Sequence, residues 1–442
     1  MAHLTPVILP ASLLLAAGAA RAQTTLFVNH ACGNDAWTGL SDVCDSPDGP
    51  KATIQSAIDA APAGARVIVA PGVYTGPGNK NLSFHARPVV LRSAEGPSAC
   101  TIDCENDGRG FFFQAQGATP IIVEGFTVVH GYVDDTYPGG RKGGAVFCLR
   151  ASPVLINCIL DDNRGHTGGA VYCGQDAHLT VANSRITNHV GTGAGDETDI
   201  HLGAGLFARD GGTLTIINCT IADNRAAEPG HDHLGGGVYV KRGSSALIMN
   251  SVLWGNHAVE GDQIAVTEGG SVTVVRSNVQ GGEAGVFVDA STLLWGVGNI
   301  DTDPMFTDPA ALDYRPAPGS PCIDAGDNSA VPPDAADIDN DADTTEPIPL
   351  DANHSPRFTD DPAAPDSGDP GDSGLPVIDM GAWEQPAPCR ADFNLDGSAN
   401  TLDVLAFLNA WTAGDPRADF NLDGTVNTLD VLAFLNAWTA GC

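Results

Sequence analysis

Residues 143–174, GGAVFCLRASPVLINCILDDNRGHTGGAVYCG, contain one full repeat of a pattern and the start of the next. A Gly-Ala-Val-aromatic motif opens the repeat, an aliphatic pair followed by Asn157 and Cys158 comes next, and Asp162-Asn163 closes it. The three motifs return at a period of about 25 to 35 residues. Such a period, with glycine at the corners, is typical of a solenoid whose coils bury apolar faces only against neighbouring coils.

The repeats predict which residues become neighbours when the coils stack, because equivalent positions then lie about 4.8 Å apart. The first motif predicts an aromatic ladder of Phe147, Tyr172, Phe207 and Tyr239, and the second an amide ladder of Asn157, Asn183, Asn218 and Asn250. The strands are too short and the helical pattern too weak for an alternating βαβ protein. We therefore expect a mainly β protein, a right-handed parallel β-helix.

The eleven cysteines favour disulfides in an exported protein. The near pairs are Cys32 with Cys44 and Cys100 with Cys104, while Cys389 and Cys442 bracket the last part of the chain. Cys148 and Cys173 share a register on consecutive coils, which allows a disulfide or, as we prefer, a ladder of inert thiols. A coil separates Cys158 from Cys219, so no direct bond is expected between them.

Both ends of the solenoid carry recognisable sequence. The segment Thr53–Ala61 has Ile54, Ala57, Ile58 and Ala61 on one helical face and is predicted to cap the first coil. Residues 27–29, 53–58 and 67–74 resemble the entry coil of pectin-lyase-like β-helix proteins. Residues 303–306, 313–314, 319–326 and 379–384 resemble the closing segment of choice-of-anchor Q proteins, a family label that implies a modular secreted protein and no particular reaction.

The last part of the chain contains one segment twice. Residues 391–414 read ADFNLDGSANTLDVLAFLNAWTAG and residues 418–441 read ADFNLDGTVNTLDVLAFLNAWTAG. Oxygen-bearing side chains alternate in each copy as in a calcium loop, with glycine at the sharp turn. The predicted Ca²⁺ ligands of the first loop are Asp392, Asn394, Asp396, the Ser398 carbonyl, Asn400 and Asp403. Those of the second loop are Asp419, Asn421, Asp423, the Thr425 carbonyl, Asn427 and Asp430.

Each loop precedes a segment with apolar residues at helical spacing. The predicted core faces are Val404, Phe407, Leu408 and Trp411 in the first copy, and Val431, Phe434, Leu435 and Trp438 in the second. The tandem loops and helices resemble a type I dockerin. The resemblance implies a small all-α module that calcium folds and that docks to a cohesin-like protein or a cell-surface scaffold. The alternative is a module in which calcium has only a structural role and which docks to no partner.

The net charge and the N-terminal residues indicate where the protein is located and which classes of partner it can bind. The chain has 54 acidic and 21 basic residues, a net charge of −33, which suits calcium and repels nucleic acid and anionic lipid. Residues 1–22 form an apolar run ending in Ala20-Arg21-Ala22, typical of a secretory signal peptide and too short to span a membrane. We expect a secreted or cell-surface protein without a membrane span. The predicted division is a signal peptide at 1–22, the β-helix with its cap at 23–300, a closing segment with acidic loops at 301–385, and the dockerin-like module at 386–442.

Candidate chemistry in the solenoid follows from the register. Arg141, His166, His201 and His233 precede successive members of the aromatic ladder by the same interval, and the loops that lead to them are long and carry acidic residues. Imidazoles one strand apart would hold a transition metal or transfer protons. A solvated polar corner without a ligand is the preferred alternative. Asp337, Asp339, Asp341 and Asp343 alternate like a calcium loop but lack its glycine, and a solvated acidic loop is the preferred interpretation.

The function remains open at this level between two classes. A dockerin-like tail usually accompanies domains that handle polysaccharides, so one hypothesis is a carbohydrate-binding or polysaccharide-degrading β-helix. Neither the aspartate set of polygalacturonases nor a pectate-lyase signature is evident, and fold alone does not carry activity. An enzyme would be a polysaccharide lyase or a glycoside hydrolase. The other hypothesis is a non-catalytic surface or adhesive protein with the β-helix as a rigid spacer.

Overall fold

The structure, a computed structural model, describes residues 23–115, 120–192, 203–226, 233–362, 364–372, 374–385, 389–394, 398–421 and 423–440. The proposed signal peptide lies outside this range. Successive coils contribute strands to three long parallel sheets and one short one, as the repeats predict.

The strands of the three long sheets stack in chain order. The first of these, called the long sheet, contains Thr25–Val28, Ala65–Val69, Val89–Ser93, Ile122–Glu124, Val154–Ile156, His178–Ala182, Thr213–Ile217, Ser245–Met249, Ser271–Val275 and Thr292–Trp295. The aromatic sheet contains Leu82–Ser83, Phe111–Gln114, Val146–Leu149, Val171–Gly174, Leu206–Arg209, Val238–Val240, Ile264–Thr267 and Phe287–Asp289. The third sheet contains Gly72–Tyr74, Cys100–Asp103, Thr127–Val129, Ile159–Asp161, Arg185–Thr187, Thr220–Ala222, Val252–Trp254 and Asn278–Val279.

Smaller elements complete the described chain. The corner sheet contains Arg164–Gly165, Val190–Gly191, Arg225–Ala226 and His257–Ala258, and an antiparallel pair contains Phe306–Asp308 and Asp313–Pro316. The α-helices are Ile54–Ala60, Thr401–Ala413 and Thr428–Ala440, and the 3₁₀ helices are Glu283–Gly285, Pro309–Ala311, Asn328–Ala330 and Pro416–Ala418. None of the helices in the described ranges has both the length and the apolar character needed to cross a bilayer.

The helix Ile54–Ala60 covers the first coil as the sequence predicts. Thr53 is its N-cap and accepts a hydrogen bond from the Ser56 amide, while Ile54, Ala57 and Ile58 are buried. These apolar side chains join the interior of the solenoid, where they contribute to one continuous core. The cap therefore shields the entry of the core from water.

The aromatic ladder forms in the predicted register. Phe147 pairs with Tyr172, Tyr172 with Phe207, and Phe207 with Tyr239. The centroids of consecutive rings are 5.3, 5.9 and 5.1 Å apart. Because side chains alternate between the faces of a strand, Val146 and Cys148 point into the main core while Phe147 belongs to a separate cluster on the outer face.

The amide ladder marks a tight corner of each coil. Asn157, Asn183, Asn218 and Asn250 are buried, and their φ angles are 50, 48, 51 and 49°. Asparagine tolerates this left-handed conformation better than most residues with a side chain, which explains why one residue type recurs here. Asn218 Nδ2 donates to Asn183 Oδ1 at 3.1 Å, so the side chains also bond along the stack.

A second polar row, the corner chain, links Asn163, His189, Asn224 and Asn256. The amide N–H of Asn163 donates to His189 Nδ1 at 3.0 Å, and the amide N–H of His189 donates to Asn224 Oδ1 at 3.1 Å. The Asn224 amide donates in turn to Asn256 Oδ1 at 3.1 Å. Each coil thereby provides an acceptor for a backbone amide of the coil before it. A buried amide needs such a partner because water cannot reach it.

The described cysteines support some of the expected pairings. Cys32 and Cys44 form a disulfide, and Cys389 is disulfide-bonded, whereas Cys442 lies outside the described residues. The near pair Cys100 and Cys104 is not bonded, which corrects that expectation. Residues four apart on an extended strand are separated by about 13 Å, too far for a disulfide. The free and buried thiols are those of Cys100, Cys104, Cys148, Cys158, Cys173, Cys219 and Cys322.

Residues 301–385, here called the strap, pack on the outside of the long and third sheets. Ile338, Ile348 and Ile378 of the strap form an apolar cluster with Ile122, Ile156 and Ala182 of the long sheet. The strap also bonds to the amide ladder, because Asn183 Nδ2 donates to Leu350 O at 2.9 Å and Asn250 Nδ2 donates to Asp327 O at 2.9 Å. The outer surface of these coils is therefore a second core.

Candidate functional site

Of the predicted row, Arg141, His166 and His233 belong to the described part of the solenoid. The His166 amide donates to the Arg141 carbonyl at 2.8 Å, so these two residues are stacked neighbours. His166 and His233 are buried, and His201 lies outside the described residues. The Arg141 guanidinium contacts the Asp135 carboxylate at 2.7 Å, which compensates its charge locally. A metal or proton-transfer role for this row stays a prediction.

The aromatic ladder beside this row is covered for most of its length. Gly139 lies so close to Phe147 that an added Cβ would be 2.7 Å from the ring, and the Lys142 ammonium lies 5.6 Å from the centre of the Tyr172 ring. The ladder begins one coil earlier than predicted, with Phe112 stacked on Phe147 at 5.1 Å. These rings serve packing rather than open binding.

The ladder is interrupted at Ala265. The register continues from Tyr239 to Ala265 and then to Phe287, so a methyl group occupies the position between two rings. Ala265 itself is buried, and a cavity of about 290 Å³ lies beside it between the coils of Tyr239 and Phe287. It is lined by Leu234, Tyr239, Val259, Glu260, Thr267, Glu268, Phe287 and Asp289. The volume lies near the lower limit for small-molecule sites, and we call this space the ladder cavity.

The lining of the ladder cavity combines rings, hydroxyl groups and carboxylates. The Tyr239 and Thr267 hydroxyl groups are 3.0 Å apart and share a hydrogen bond. Glu268 contacts the Lys241 ammonium at 3.0 Å and the Arg242 guanidinium at 2.9 Å. Burial opposes the ionisation of Glu268, but the hydrogen bonds from Lys241 and Arg242 outweigh it and lower the pKa. Glu268 is thus held as a carboxylate.

The sequence analysis did not identify the ladder cavity. Its aromatic positions belong to the predicted ladder, whereas the cavity lies beside the coil that lacks a ring. The signal was available, because Ile264-Ala265-Val266 occupies the strand that should carry the next ring. Glu260, Glu268 and Asp289 became neighbours only once the coils were stacked.

The tail forms two loops that are closed in the same way. Asp403 accepts hydrogen bonds from the Asn394 amide at 3.0 Å and the Asn400 amide at 2.8 Å. In the second loop Asp430 accepts from the Asn421 amide at 3.0 Å and the Asn427 amide at 2.7 Å. These backbone donors lower the pKa of Asp430. Each loop is therefore folded around the carboxylate that the sequence places at its last ligand position.

The donor set of these loops fits calcium. In the second loop Asp419 accepts from the Asp423 and Gly424 amides at 3.1 and 2.8 Å, so the loop closes on this carboxylate. Every predicted ligand is a carboxylate, an amide oxygen or a carbonyl, the set that Ca²⁺ prefers. A bound calcium would neutralise the carboxylates of each loop. Asp396 lies outside the described residues, so the first loop is only partly described.

The two tail helices pack through a nearly symmetric core. The Phe407 and Phe434 rings stack with centroids 4.2 Å apart. Trp411 Nε1 donates to Asn427 O at 2.7 Å, and Trp438 Nε1 donates to Asn400 O at 2.9 Å, so each helix supports the loop of the other copy. Leu408 and Leu435 are exposed rather than part of the predicted core faces.

Several leucines on the tail helices face solvent in matching positions. Leu402, Leu405, Leu429 and Leu432 are 57, 57, 58 and 57 % exposed. Large apolar side chains grouped on a small module are typical of a protein–protein interaction surface. Each helix thus offers an equivalent apolar face.

Comparisons with known proteins concern the fold. Residues 144–301 match the family described as right handed beta helix region. No curated protein matches the chain. A solved structure titled crystal structure of pectate lyase Pel9A resembles it with 14% sequence identity and a TM-score of 0.40, over 82% of this chain and 98% of that chain. The family match and the stacked parallel sheets together show a right-handed parallel β-helix.

Proposed function

We propose that this protein is an exported carbohydrate-binding β-helix whose ladder cavity holds a sugar ring and whose tail docks, through two calcium loops, to a cohesin-like domain or cell-surface scaffold. The observation that carries the proposal is the replacement of one aromatic ring by Ala265 within an otherwise continuous ladder. Beside the gap, the partly exposed Phe287 ring lies near the exposed carboxylates of Glu260, Glu268 and Asp289, which can accept hydrogen bonds from hydroxyl groups. Concave apolar surface with a few convergent polar groups is typical of small-ligand sites.

The charge of the ladder cavity favours neutral sugars over uronates. Glu260, Glu268 and Asp289 line it, and the described lining residues include no Lys, Arg or His. Lyase chemistry on a uronate needs a positive group beside the substrate carboxylate and a base near the acidic proton. Lys241 and Arg242 compensate Glu268, so Glu260 and Asp289 supply the negative charge that would repel a polyuronate. We therefore propose a neutral polysaccharide as the ligand class.

Glycoside hydrolysis is the second candidate, because glycosidases use paired carboxylates beside the scissile bond. Glu260 and Asp289 would be the reacting groups. Release of reducing ends from neutral polysaccharides, lost in Glu260→Gln and in Asp289→Asn, would establish hydrolysis. Binding without release would leave the protein as a non-catalytic carbohydrate-binding or adhesive protein.

The proposed docking of the tail rests on the paired loops and on the matching exposed leucines. A partner with a complementary apolar groove would bury Leu402 and Leu405, or Leu429 and Leu432. Loss of capture by an immobilised cohesin domain after chelation, restored by calcium, is the expected result. Capture that chelation leaves unchanged would contradict calcium-dependent docking.

Filling the ladder cavity tests the carbohydrate proposal. Ala265→Phe restores the missing ring and should weaken binding to the best neutral glycan of an array by about tenfold or more, equivalent to roughly 1.4 kcal/mol or more. The matched control is Val297→Phe, which adds the same ring at an exposed position outside the cavity. Unchanged glycan affinity in a folded Ala265→Phe variant would contradict the site.

A further inference from the structure

The interior of the strap contains an excess of carboxylates. Asp324, Asp351, Asp379 and Glu384 are all buried. The buried Arg357 lies among them, with Nε 3.7 Å from Glu384 Oε2. Ionised carboxylates are costly to bury unless they are paired or well hydrogen-bonded. Each of these groups therefore needs a donor, a proton or a cation.

Backbone donors satisfy most of the group. Asp351 accepts from the Asn353, Ser355 and Glu384 amides at 2.8, 2.9 and 3.0 Å. Asp379 accepts from the Asp324 amide at 2.8 Å and the Gln385 amide at 2.7 Å. Glu384 accepts longer bonds from the Asp379 amide. These carboxylates are held by the fold of the strap itself.

Asp324 differs from the others. It is fully buried, and neither of its carboxylate oxygens has a hydrogen-bond partner within the described structure. Its backbone is held firmly, because the Asp324 carbonyl accepts from the Ser367 and Gly368 amides at 2.9 Å each. The backbone thus holds the side chain in place, and its buried carboxyl group needs a proton or a cation to offset the cost of burial.

Two exposed carboxylates lie beside Asp324. One oxygen from each of Asp324, Asp360 and Asp366 lies within 4.8 Å of the others. Three ionised carboxylates at this separation repel one another, so either one of them takes up a proton or a cation lies between them. Asp360 and Asp366 face solvent, which leaves room for water ligands.

We infer that Asp324, Asp360 and Asp366 form a calcium site in the strap, separate from the tail loops. An all-oxygen set with two exposed carboxylates suits Ca²⁺, which accepts six to eight oxygen ligands in flexible geometry, better than metals that prefer nitrogen or sulfur. The ion would join Asp360 and Asp366 to the buried carboxyl group of Asp324. It would also offset the negative charge of the neighbouring buried carboxylates.

The acidic loop of Asp337, Asp339, Asp341 and Asp343 differs from this cluster. Asp337, Asp339 and Asp341 are as close together as the proposed ligands. Asp337 is already paired, with Oδ2 3.1 Å from Arg66 and Oδ1 accepting from the Ala342 amide at 2.9 Å. Asp339 and Asp341 are exposed, in line with the expected solvated loop. We assign no ion there.

The test counts bound calcium in the full chain by equilibrium dialysis at about 1 mM free calcium, near the upper range for extracellular sites. Asp360→Asn combined with Asp366→Asn should bind one calcium fewer than the wild type. Both residues are exposed, so the variant should fold, whereas Asp324→Asn alters a buried side chain. The matched control is Asp372→Asn, an exposed aspartate of the strap outside the cluster, which should leave the count unchanged.

A second background separates this site from the tail. Asp392→Ala combined with Asp419→Ala removes one ligand from each tail loop and should leave the strap ion bound. Adding Asp360→Asn and Asp366→Asn to that background should abolish the remaining calcium and the calcium-dependent rise in Tm. A strap variant that binds as many ions as its parent in both backgrounds would overturn the inference.

Discussion

At the scale of single residues, the spacing of the repeats predicted where asparagine recurs but not why. The amide ladder could be aligned from the sequence, whereas the left-handed φ angles that select asparagine are a property of the folded corner. Ala265, by contrast, could not be recognised from the recurring motifs. Its importance comes from a ring that is absent, and only the register from Tyr239 to Phe287 reveals the gap.

His189 occupies a position of the corner chain that other coils fill with asparagine. Burial lowers the pKa of His189 to about 4, although the nearby Asp161 carboxylate acts in the opposite direction. The unfolded chain, with a pKa near the ordinary value of 6.5, binds more protons than the folded chain between these limits. The contribution of neutral His189 is therefore fully present above pH 6.5 and is lost as pH falls towards 4.

Two substitutions of His189 should separate its titration from its hydrogen bonding. His189→Asn preserves an acceptor for the Asn163 amide and should flatten the loss of stability between pH 6.5 and 4. His189→Leu leaves that buried amide unpaired and should cost about 1–3 kcal/mol at neutral pH. Urea unfolding at pH 7 and pH 5 measures both effects. An unchanged pH dependence in His189→Asn would contradict the assignment.

At the scale of elements, strands were easier to predict than the faces of the tail helices. The solenoid strands repeat in register, so each confirms the next. The tail helices carry leucine at many positions, and periodicity alone selected Leu408 and Leu435 as core residues. The close stack of Phe407 on Phe434 brings Ala410 into the core and leaves those leucines partly exposed.

Calcium removal should act on the tail helices as a unit. Each helix follows a loop whose carboxylates repel one another without a cation, and each tryptophan indole bonds to the opposite loop. Chelation should therefore reduce the helical ellipticity of Thr401–Ala413 and Thr428–Ala440 together, and added calcium should restore it. Circular dichroism of the full chain measures the change.

The tail experiment compares the two loop-closing aspartates with a control aspartate outside the loops. Asp403→Asn with Asp430→Asn should weaken the response to calcium, whereas Asp415→Asn, which lies between the helices and outside both loops, should retain it. Ellipticity that is independent of calcium in the wild type would exclude calcium-dependent folding of this module.

At the scale of the whole molecule, the repeats predicted the solenoid, and the strap illustrates what they could not predict. Its residues carry no repeat, and its contacts join positions far apart in the chain, such as Arg92 Nη1 to Asp337 O at 2.6 Å. The sequence showed an acidic, loop-rich segment and predicted solvated loops for part of it. The buried carboxylates Asp324, Asp379 and Glu384 were recognisable only after this segment was seen to pack on the sheets.

The stability that the hydrogen bonds between the solenoid and the strap contribute can be measured by comparing two asparagines of the amide ladder. Asn250 Nδ2 donates to Asp327 O and Asn250 Oδ1 accepts from the Asp327 amide, both at 2.9 Å. Asn157 has the same backbone conformation, but its side-chain amide has no such bond within the described structure. Asn250→Ala should therefore destabilise the protein by about 1–3 kcal/mol more than Asn157→Ala. Urea unfolding compares them, and limited proteolysis reports release of the strap. Equal costs would show that strap bonding adds nothing.

The reactivity of the buried thiols can report the order in which the coils of the solenoid open. Cys104, Cys148, Cys173 and Cys219 lie on different coils, and burial raises the pKa of the Cys104 and Cys219 thiols to about 12, so in the closed state they are poor nucleophiles. A thiol-reactive reagent would modify each one only when its own coil separates from its neighbours. The order of modification, resolved by mass spectrometry, would reveal whether unravelling starts beside the helical cap or at the distal end.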